Sequence, residues 1–471
     1  MLKKLRPYLI LMLVFTAVLV VLQWQMGIAT QPYFWDEMGV YAPAAIHLYE
    51  HGIGILPGDL PDILSRGHPT LFPLVVAIAF KLFGCTPFVA HVTCYALYFI
   101  GICFLYRILQ LWTDWRLALT VAVAIGLQPC FISQSIIVLP EILLMTLAIA
   151  AVYYAMVERW VAVSIILCLA VMVKESALVL PLALWLALLI NKRSFKASKP
   201  LLLLAVPYGL FGLFLVIQKL QNGYFFFPLH TSLMHMEWYF IKERLLLMMD
   251  FIFNDQGRGW FFIATVALFL FGIFKWWGYV LSVFKGKSLH LLVLLVVLAG
   301  GIAFTGLNFF LSRYILFFLI FAYALCFMLL FQFGKLKKIW SYLLCGYLLF
   351  NTVYSLRNTH YTDVDFSYVP HVQTSLQACE YMANDSRFKG QHIAMSFPLI
   401  AATYNHQFGY PDLKKNSYTH DFPSTLDTTM DYLVFIRPGN DNFIDSFKMN
   451  LIHDTTFKAK DAFVSIYKVR K

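Results

Sequence analysis

The sequence predicts a polytopic α-helical membrane protein, a bundle of about eleven transmembrane helices followed by a small extracytoplasmic α/β domain. Three observations predict it. Of 471 residues, 60% are hydrophobic and only 13% are charged, with a mean hydropathy of +0.71, a composition foreign to a water-soluble chain of this length. The apolar residues gather in runs of roughly the 17–25 that carry a helix across a bilayer. Between the runs, Lys and Arg form short clusters that can all be assigned to one side of the membrane.

The first run, about 7–29, is preceded by Lys3, Lys4 and Arg6, and no charge falls between Pro7 and Phe34. It exceeds the roughly 7–15 residues of a signal-peptide core and no small-residue cleavage site follows it, so it reads as a retained first helix. Further runs lie at about 87–110, 117–135, 136–157, 200–219, 260–283, 289–311, 312–333 and 338–355. Between Trp160 and Ile190 the apolar sequence is interrupted by Lys174 and Glu175. Two helices there, rather than one broken helix, keep Arg107/Arg116, Arg159, Lys192/Arg193/Lys196/Lys199, Lys285/Lys287 and Lys335/Lys337/Lys338 on the side of Lys3, Lys4 and Arg6. The N-terminus is then cytoplasmic and the C-terminus outside.

That topology leaves three outer stretches, about 30–86, about 220–259 and the tail from about 356. Residues 69–83 are apolar, but Pro73 and Lys81 interrupt them and a span there would reverse every later loop, so a helix at the interface or re-entering is expected. The tail carries β-like runs at 392–397, 431–436 and 462–469 among turn-rich sequence. The chain therefore divides into a transmembrane domain, 1–355, and an extracytoplasmic C-terminal domain, 356–471.

The formal charge of +11 does not point to nucleic acid, because the basic residues are dispersed as topology signals rather than gathered in one patch. Six of eight cysteines, Cys94, Cys103, Cys130, Cys168, Cys326 and Cys345, lie inside apolar runs. Cys85 and Cys379 show no paired or metal-like spacing.

The chemistry is expected at the outer membrane edge. The first outer loop reads WDEMGVYAPAAIHLYEHG (35–52), where Asp36 stands near the start of a short helix to Glu50 and could merely cap it. Glu141 follows Pro140 at an outer helix start, Lys174 and Glu175 lie at an outer turn, and Arg313 begins a span. Charges at such depth are costly and face a cavity or a partner, so together they suggest one polar cavity opening outward. A carboxylate can take a proton from an attacking hydroxyl and Lys or Arg can stabilise a phosphate leaving group. A lipid-linked sugar phosphate needs both, although a proton-coupled transporter would use the same residue types. His91, near the outer start of its helix, reads as facing the interface or a neighbouring helix.

The ordered motifs resemble the GT-C-type membrane glycosyltransferases, in particular the glycosyltransferase family 39-like group of protein mannosyltransferase and aminoarabinose transferase relatives. The motifs are FWDEMGVY after the first span, HPTLFPLVVAIAFKLFG at 68–84, LPEILLMTLAIAAVYYA at 139–155, VMVKESALVLPLALWL at 171–186 and SRYILFFLIF at 312–321. The resemblance spans roughly residues 8–330 and implies a GT-C-like bundle that moves a sugar from a polyprenyl- or dolichyl-phosphate donor to an acceptor outside the cytoplasm. Asp36 matches the family's catalytic acid, implying a general base on the acceptor hydroxyl and inversion at the anomeric carbon. Glu37 matches its neighbour, implied to orient the acceptor or Asp36. Glu141 matches a second outer acidic position, Lys174 and Arg313 match basic positions near the donor phosphate, and Arg66 and His68 lie in the loop that would close over it. Glu175 stands where the family has an apolar or small residue and is a candidate partner for Lys174, and Thr70 replaces the second Pro of a His-Pro-Pro pattern.

No cofactor is certain on this reading, and a divalent metal ion is the candidate. Asp36, Glu141 and His68 could hold a divalent ion, but no strict ligand spacing is visible and none is assigned. The expected partners are the bilayer, a polyprenyl-phosphate-sugar donor and a lipid, glycan or protein acceptor. The alternative is a transporter or flippase of a lipid-linked sugar, which an internal inverted repeat would favour; none is found. A third, an assembly protein with a functional tail, would leave some eleven spans as a mere anchor. A bacterial inner membrane with a periplasmic active side is expected, since the tail is small and carries no retention signal.

Overall fold

The computed structural model describes residues 2–190, 198–232, 235–286, 288–308, 310–333, 336–357, 364–403, 405–413, 417–419, 430–437, 451–460 and 462–470. Of the basic positions used for topology, Lys192, Arg193, Lys196, Lys287 and Lys335 lie outside the described residues.

Among the described residues, seven helices are long and apolar enough to cross a membrane: Leu5–Met26, Pro87–Gln110, Lys199–Asn222, Asp255–Phe274, Leu289–Leu307, Ser312–Leu330 and Leu336–Leu356. At the other expected spans stand shorter apolar helices, Trp115–Gly126, Pro140–Met156, Trp160–Val171 and Glu175–Ile190. Their shortness has local causes. The run expected at about 117–135 breaks before Pro129, which holds Gln128 extended (φ −61°, ψ 139°), and resumes as Pro129–Gln134. Pro140 does the same to Leu139 (φ −132°, ψ 148°), so the next helix starts late. Lys174 is extended (φ −160°, ψ 139°) and separates Trp160–Val171 from the 3₁₀ turn Glu175–Leu178, giving two helices as the charge argument expected. Leu71–Phe83 has 13 residues, about 20 Å of helix, too short to cross the bilayer's hydrocarbon core of about 30 Å. It packs on Ala42–His51, where Tyr49 meets Phe80 edge-on at 6.1 Å.

The first helix is stitched into the bundle by Phe15 against Tyr98 (6.0 Å) and by the Tyr95 hydroxyl, which donates to the Phe15 carbonyl at 2.5 Å. Ser312–Leu330 is the most enclosed of the seven long helices, 72% buried against 22% for the first, and forms the centre of the bundle. Arg313 stands at its head.

In the tail, helix Tyr368–Asn384 lies on a mixed five-stranded sheet of β1 (His392–Met395), β2 (Ser417–Thr419), β3 (Tyr432–Arg437), β4 (Leu451–Ala459) and β5 (Ala462–Val469), in the order β2-β1-β3-β5-β4. β1 runs parallel to both neighbours and β5 antiparallel to both of its own, with Val434 opposite Ile466. The three β-like runs of the sequence are β1, β3 and β5. The sequence reading missed β2 and β4. β4 is an edge strand in which only Leu451 is buried, so LIHDTTFKA lacks the apolar alternation of an inner strand. The tail closes onto the first outer loop: the Tyr33 N–H donates to the Phe408 carbonyl (3.0 Å), Phe34 stacks on His371 and Trp35 meets Phe397 edge-on at 5.3 Å.

Candidate active site

The site is built on turns at the ends of helices. Trp35 adopts φ +49°, a left-handed backbone that a bulky side chain seldom takes, at a cost of about 1–3 kcal/mol that surrounding contacts must offset. From Glu37 to Tyr41 the chain forms a π turn closed by the Ala42 N–H on the Glu37 carbonyl, a rare geometry that occurs mostly at functional sites. Asp36 precedes this turn and its side chain makes no capping bond. The bland expectation, a helix cap, is therefore not what the carboxylate does.

Asp36 instead meets Arg313, Oδ2 to Nη2 at 2.5 Å. Arg313 sits in the 3₁₀ turn Ser312–Ile315 and is 7% exposed. Its Nε lies 3.8 Å from Glu141 Oε1, which receives the Lys174 ammonium at 2.8 Å. Lys174 Nζ also stands 3.7 Å from the centre of the Tyr314 ring, a cation–π contact. Pro140 opens the helix that carries Glu141, placing the carboxylate at a helix N-terminus where negative charge is favoured. Two anions and two cations thus alternate, which is how charges persist out of water. Asp36, with its side chain 33% exposed, is the member that reaches the open.

The open space is a cavity of about 390 Å³ lined by Asp36, Glu37, Ser312, Arg313, Tyr368 and apolar groups including Trp35, Ile137 and Leu311. Tyr368 comes from the tail, so the C-terminal segment completes the wall.

Glu37 is 3% exposed. Its Oε2 accepts from the Phe34 N–H (3.0 Å), and its Oε1 accepts from the Val138 N–H (2.7 Å) and faces His91 Nε2 (3.2 Å). It binds three parts of the chain together. Tyr41, at the far end of the π turn, lies near the Lys174–Glu141 pair, and burial pushes its phenol well above its ordinary value.

Three sequence-predicted residues stand apart. His68 Nδ1 contacts Glu175 Oε2 at 3.0 Å. This corrects the expected pairing of Glu175 with Lys174: the extended backbone at Lys174 turns the two side chains apart, and Glu141 takes the ammonium. Arg66, in a left-handed backbone (φ +46°), reaches the Gly39 carbonyl at 3.5 Å. None of the three lines the cavity. The suggested metal ligands Asp36, Glu141 and His68 do not converge. Among the described residues no group of three or more His, Cys, Asp and Glu does, because the Arg313 guanidinium lies between Asp36 and Glu141 while His68 turns to Glu175. Sequence reasoning gave no part to His91, Tyr41, Tyr314 or Tyr368. Tyr314 adjoins Arg313 and Tyr41 ends the WDE segment, which were the available signals; His91 and Tyr368 reach the site only by folding.

Fold and site define a class, a polytopic helical membrane bundle with a buried acidic–basic network at the edge of a cavity. Residues 67–217 match the family model described as dolichyl-phosphate-mannose-protein mannosyltransferase. The fold is that of ArnT from Cupriavidus metallidurans. The ArnT crystal structure bound to undecaprenyl phosphate aligns with 12% identity over 97% of each chain and a TM-score of 0.52, and its apo state aligns over the same extent at 12% identity with a TM-score of 0.55. No curated protein matches by sequence. The resemblance read from the motifs is thereby upheld. The family match takes in His68, Glu141, Lys174 and Glu175, while Asp36 and Arg313 fall outside it.

Proposed function

We propose that this chain is a membrane glycosyltransferase that moves a sugar from a polyprenyl-phosphate donor to an extracytoplasmic acceptor hydroxyl or phosphate, with inversion. The observation that carries the reading is the Asp36–Arg313 pair at 2.5 Å on the wall of a cavity in a GT-C-type fold. Arg313, on the cavity wall, is the cation for the donor phosphate, and Lys174 stands behind it, joined through Glu141. A phosphate arriving at Arg313 competes with Asp36 for the guanidinium and releases the carboxylate to act as base. Asp36 then takes the proton of the acceptor hydroxyl, the acceptor oxygen bonds to the anomeric carbon from the opposite face, and the bond from that carbon to the phosphate oxygen breaks. The electron pair leaves on the phosphate, where Arg313 meets the charge. Glu141 keeps both cations buried and aligned, and Glu37 fixes the turn that presents Asp36. The chain's own cations supply the positive charge, so no step calls for a divalent ion.

The same reading divides the chain into a transmembrane domain to about 355 and an outer domain beyond it, in a bacterial inner membrane with the site periplasmic and the N-terminus cytoplasmic. What supports the sidedness is that Arg6 stacks over Trp115 and Lys338 pairs with Asp114, gathering basic residues at the bundle end away from Asp36. No observation favours transport. The test is incubation of purified protein in lipid with a panel of radiolabelled undecaprenyl-phosphate sugars and a cellular acceptor extract, comparing wild type with Asp36→Asn. Transfer that collapses in the variant supports the reading; no turnover, with Asp36-dependent donor movement across vesicles, would replace it with transport.

A further inference from the structure

Among the described residues the Asp36 carboxylate meets only Arg313, so its aim is set by the backbone corner that carries it. That corner holds the left-handed Trp35 and hangs on Glu37. Glu37 in turn is gripped by His91, whose side chain is 4% exposed. His91 Nδ1 faces the Ala29 carbonyl at 3.1 Å and Nε2 faces Glu37 Oε1 at 3.2 Å. A carbonyl only accepts, so the Nδ1–H donates to Ala29 while Nε2 faces the Glu37 carboxylate. The Tyr33 ring lies edge-on to the imidazole at 5.6 Å and fixes its plane. His91 does not line the cavity.

We propose that His91 is a positioning residue for glycosyl transfer: it clamps Glu37 to Ala29, in the turn after the first helix, and so holds the Trp35–Glu37 corner in the conformation that presents Asp36. The inference rests on the transferase reading of the site. A buried histidine elsewhere in the bundle would affect only folding, whereas this one sits two links from the reacting carboxylate, and a catalytic group displaced by about 1 Å loses about 100-fold in rate.

Two substitutions separate the contacts. A glutamine amide reaches the position of Nε2 and an asparagine amide that of Nδ1. His91→Gln keeps the link to Glu37 and is expected within a few-fold of wild-type kcat. His91→Asn keeps only the link to Ala29 and is expected to lose about 100-fold in kcat, with the donor KM little changed. Glu37→Gln should show the same loss confined to kcat, and combining it with His91→Asn should add nothing further. Equal kcat in the Gln and Asn variants, a loss confined to KM, or additive losses in the double variant would overturn the proposal. The melting temperatures of the four full-length proteins in lipid nanodiscs form a second cycle that needs no turnover: non-additive shifts support the clamp, and additive ones remove it. Absence of transfer by wild type with every donor would strike at the transferase reading instead.

Discussion

Two charge networks in this chain use the same residue types in opposite surroundings. Asp36, Arg313, Glu141 and Lys174 form a chain at the head of the central helix, with side-chain exposures of 5–8% except for Asp36 at 33%. In the tail, Arg387 bonds Asp385 at 2.8 Å and Asp454 at 2.9 Å with its own side chain 49% exposed. The distances are alike, yet the consequences differ. Removing charges from water costs several kcal/mol each, so the buried network persists only while every charge is answered, and a ligand that answers one of them can rearrange the rest. Water and salt already answer the exposed cluster, which leaves it little to give.

The largest effect should come from Asp36, the carboxylate of the network that lines the cavity and its most exposed member. Asp36→Asn keeps the shape and removes the base, and is expected to lower transfer by about 100- to 10,000-fold in a donor-release assay, with melting little changed. Arg313→Lys keeps the charge but loses the planar fork that reaches both Asp36 and Glu141; a fall of about 100-fold in kcat/KM is expected from steady-state kinetics. Glu141→Gln leaves Lys174 buried without its anion and should cost about 3–5 kcal/mol in thermal unfolding, with Glu141→Gln/Lys174→Met recovering most of it. A double variant no more stable than the single would break the claim that the pair is mutually dependent.

The smallest effect belongs to the tail. Arg387→Ala should leave both transfer and melting unchanged, and a clear loss of either would undo the contrast between the networks. The bond from Arg387 holds the Asp385 carboxyl below its ordinary value of 3.8. Whatever that contact contributes is present above this value and disappears as pH falls through the lowered one, without touching the buried network.

Much of this was legible in advance, for identifiable reasons. Hydropathy is a local property of a segment, so the runs around Leu5–Met26, Pro87–Gln110 and Ser312–Leu330 emerged as helices at the expected places. Asp36, Glu141, Lys174 and Arg313 could be suspected singly because each is a charge at an apolar boundary. That they share one cavity could be suspected too, but not which pairs with which: Asp36 and Arg313 are 277 positions apart. The pairing of Lys174 went wrong for the same reason, since adjacency along the chain favoured Glu175 while the extended backbone turned the ammonium to Glu141. His91 offered no signal, because a histidine inside an apolar run looks alike whether it faces lipid or a buried carboxylate. The edge strand β4 escaped because its pattern follows solvent on both faces.

By itself, the sequence determined the membrane bundle, its division at Lys174, the charges at the ends of apolar runs and the α/β tail, since these follow from solvent preference summed over neighbouring residues. Only the tertiary structure decided which charge answers which, that Glu37 is a buried brace rather than a second open carboxylate, and that Tyr368 of the tail walls the cavity. Those are matters of a few ångströms between segments far apart in the chain, and the energy of a buried charge depends on the distance to its partner and on how far the site is closed to water.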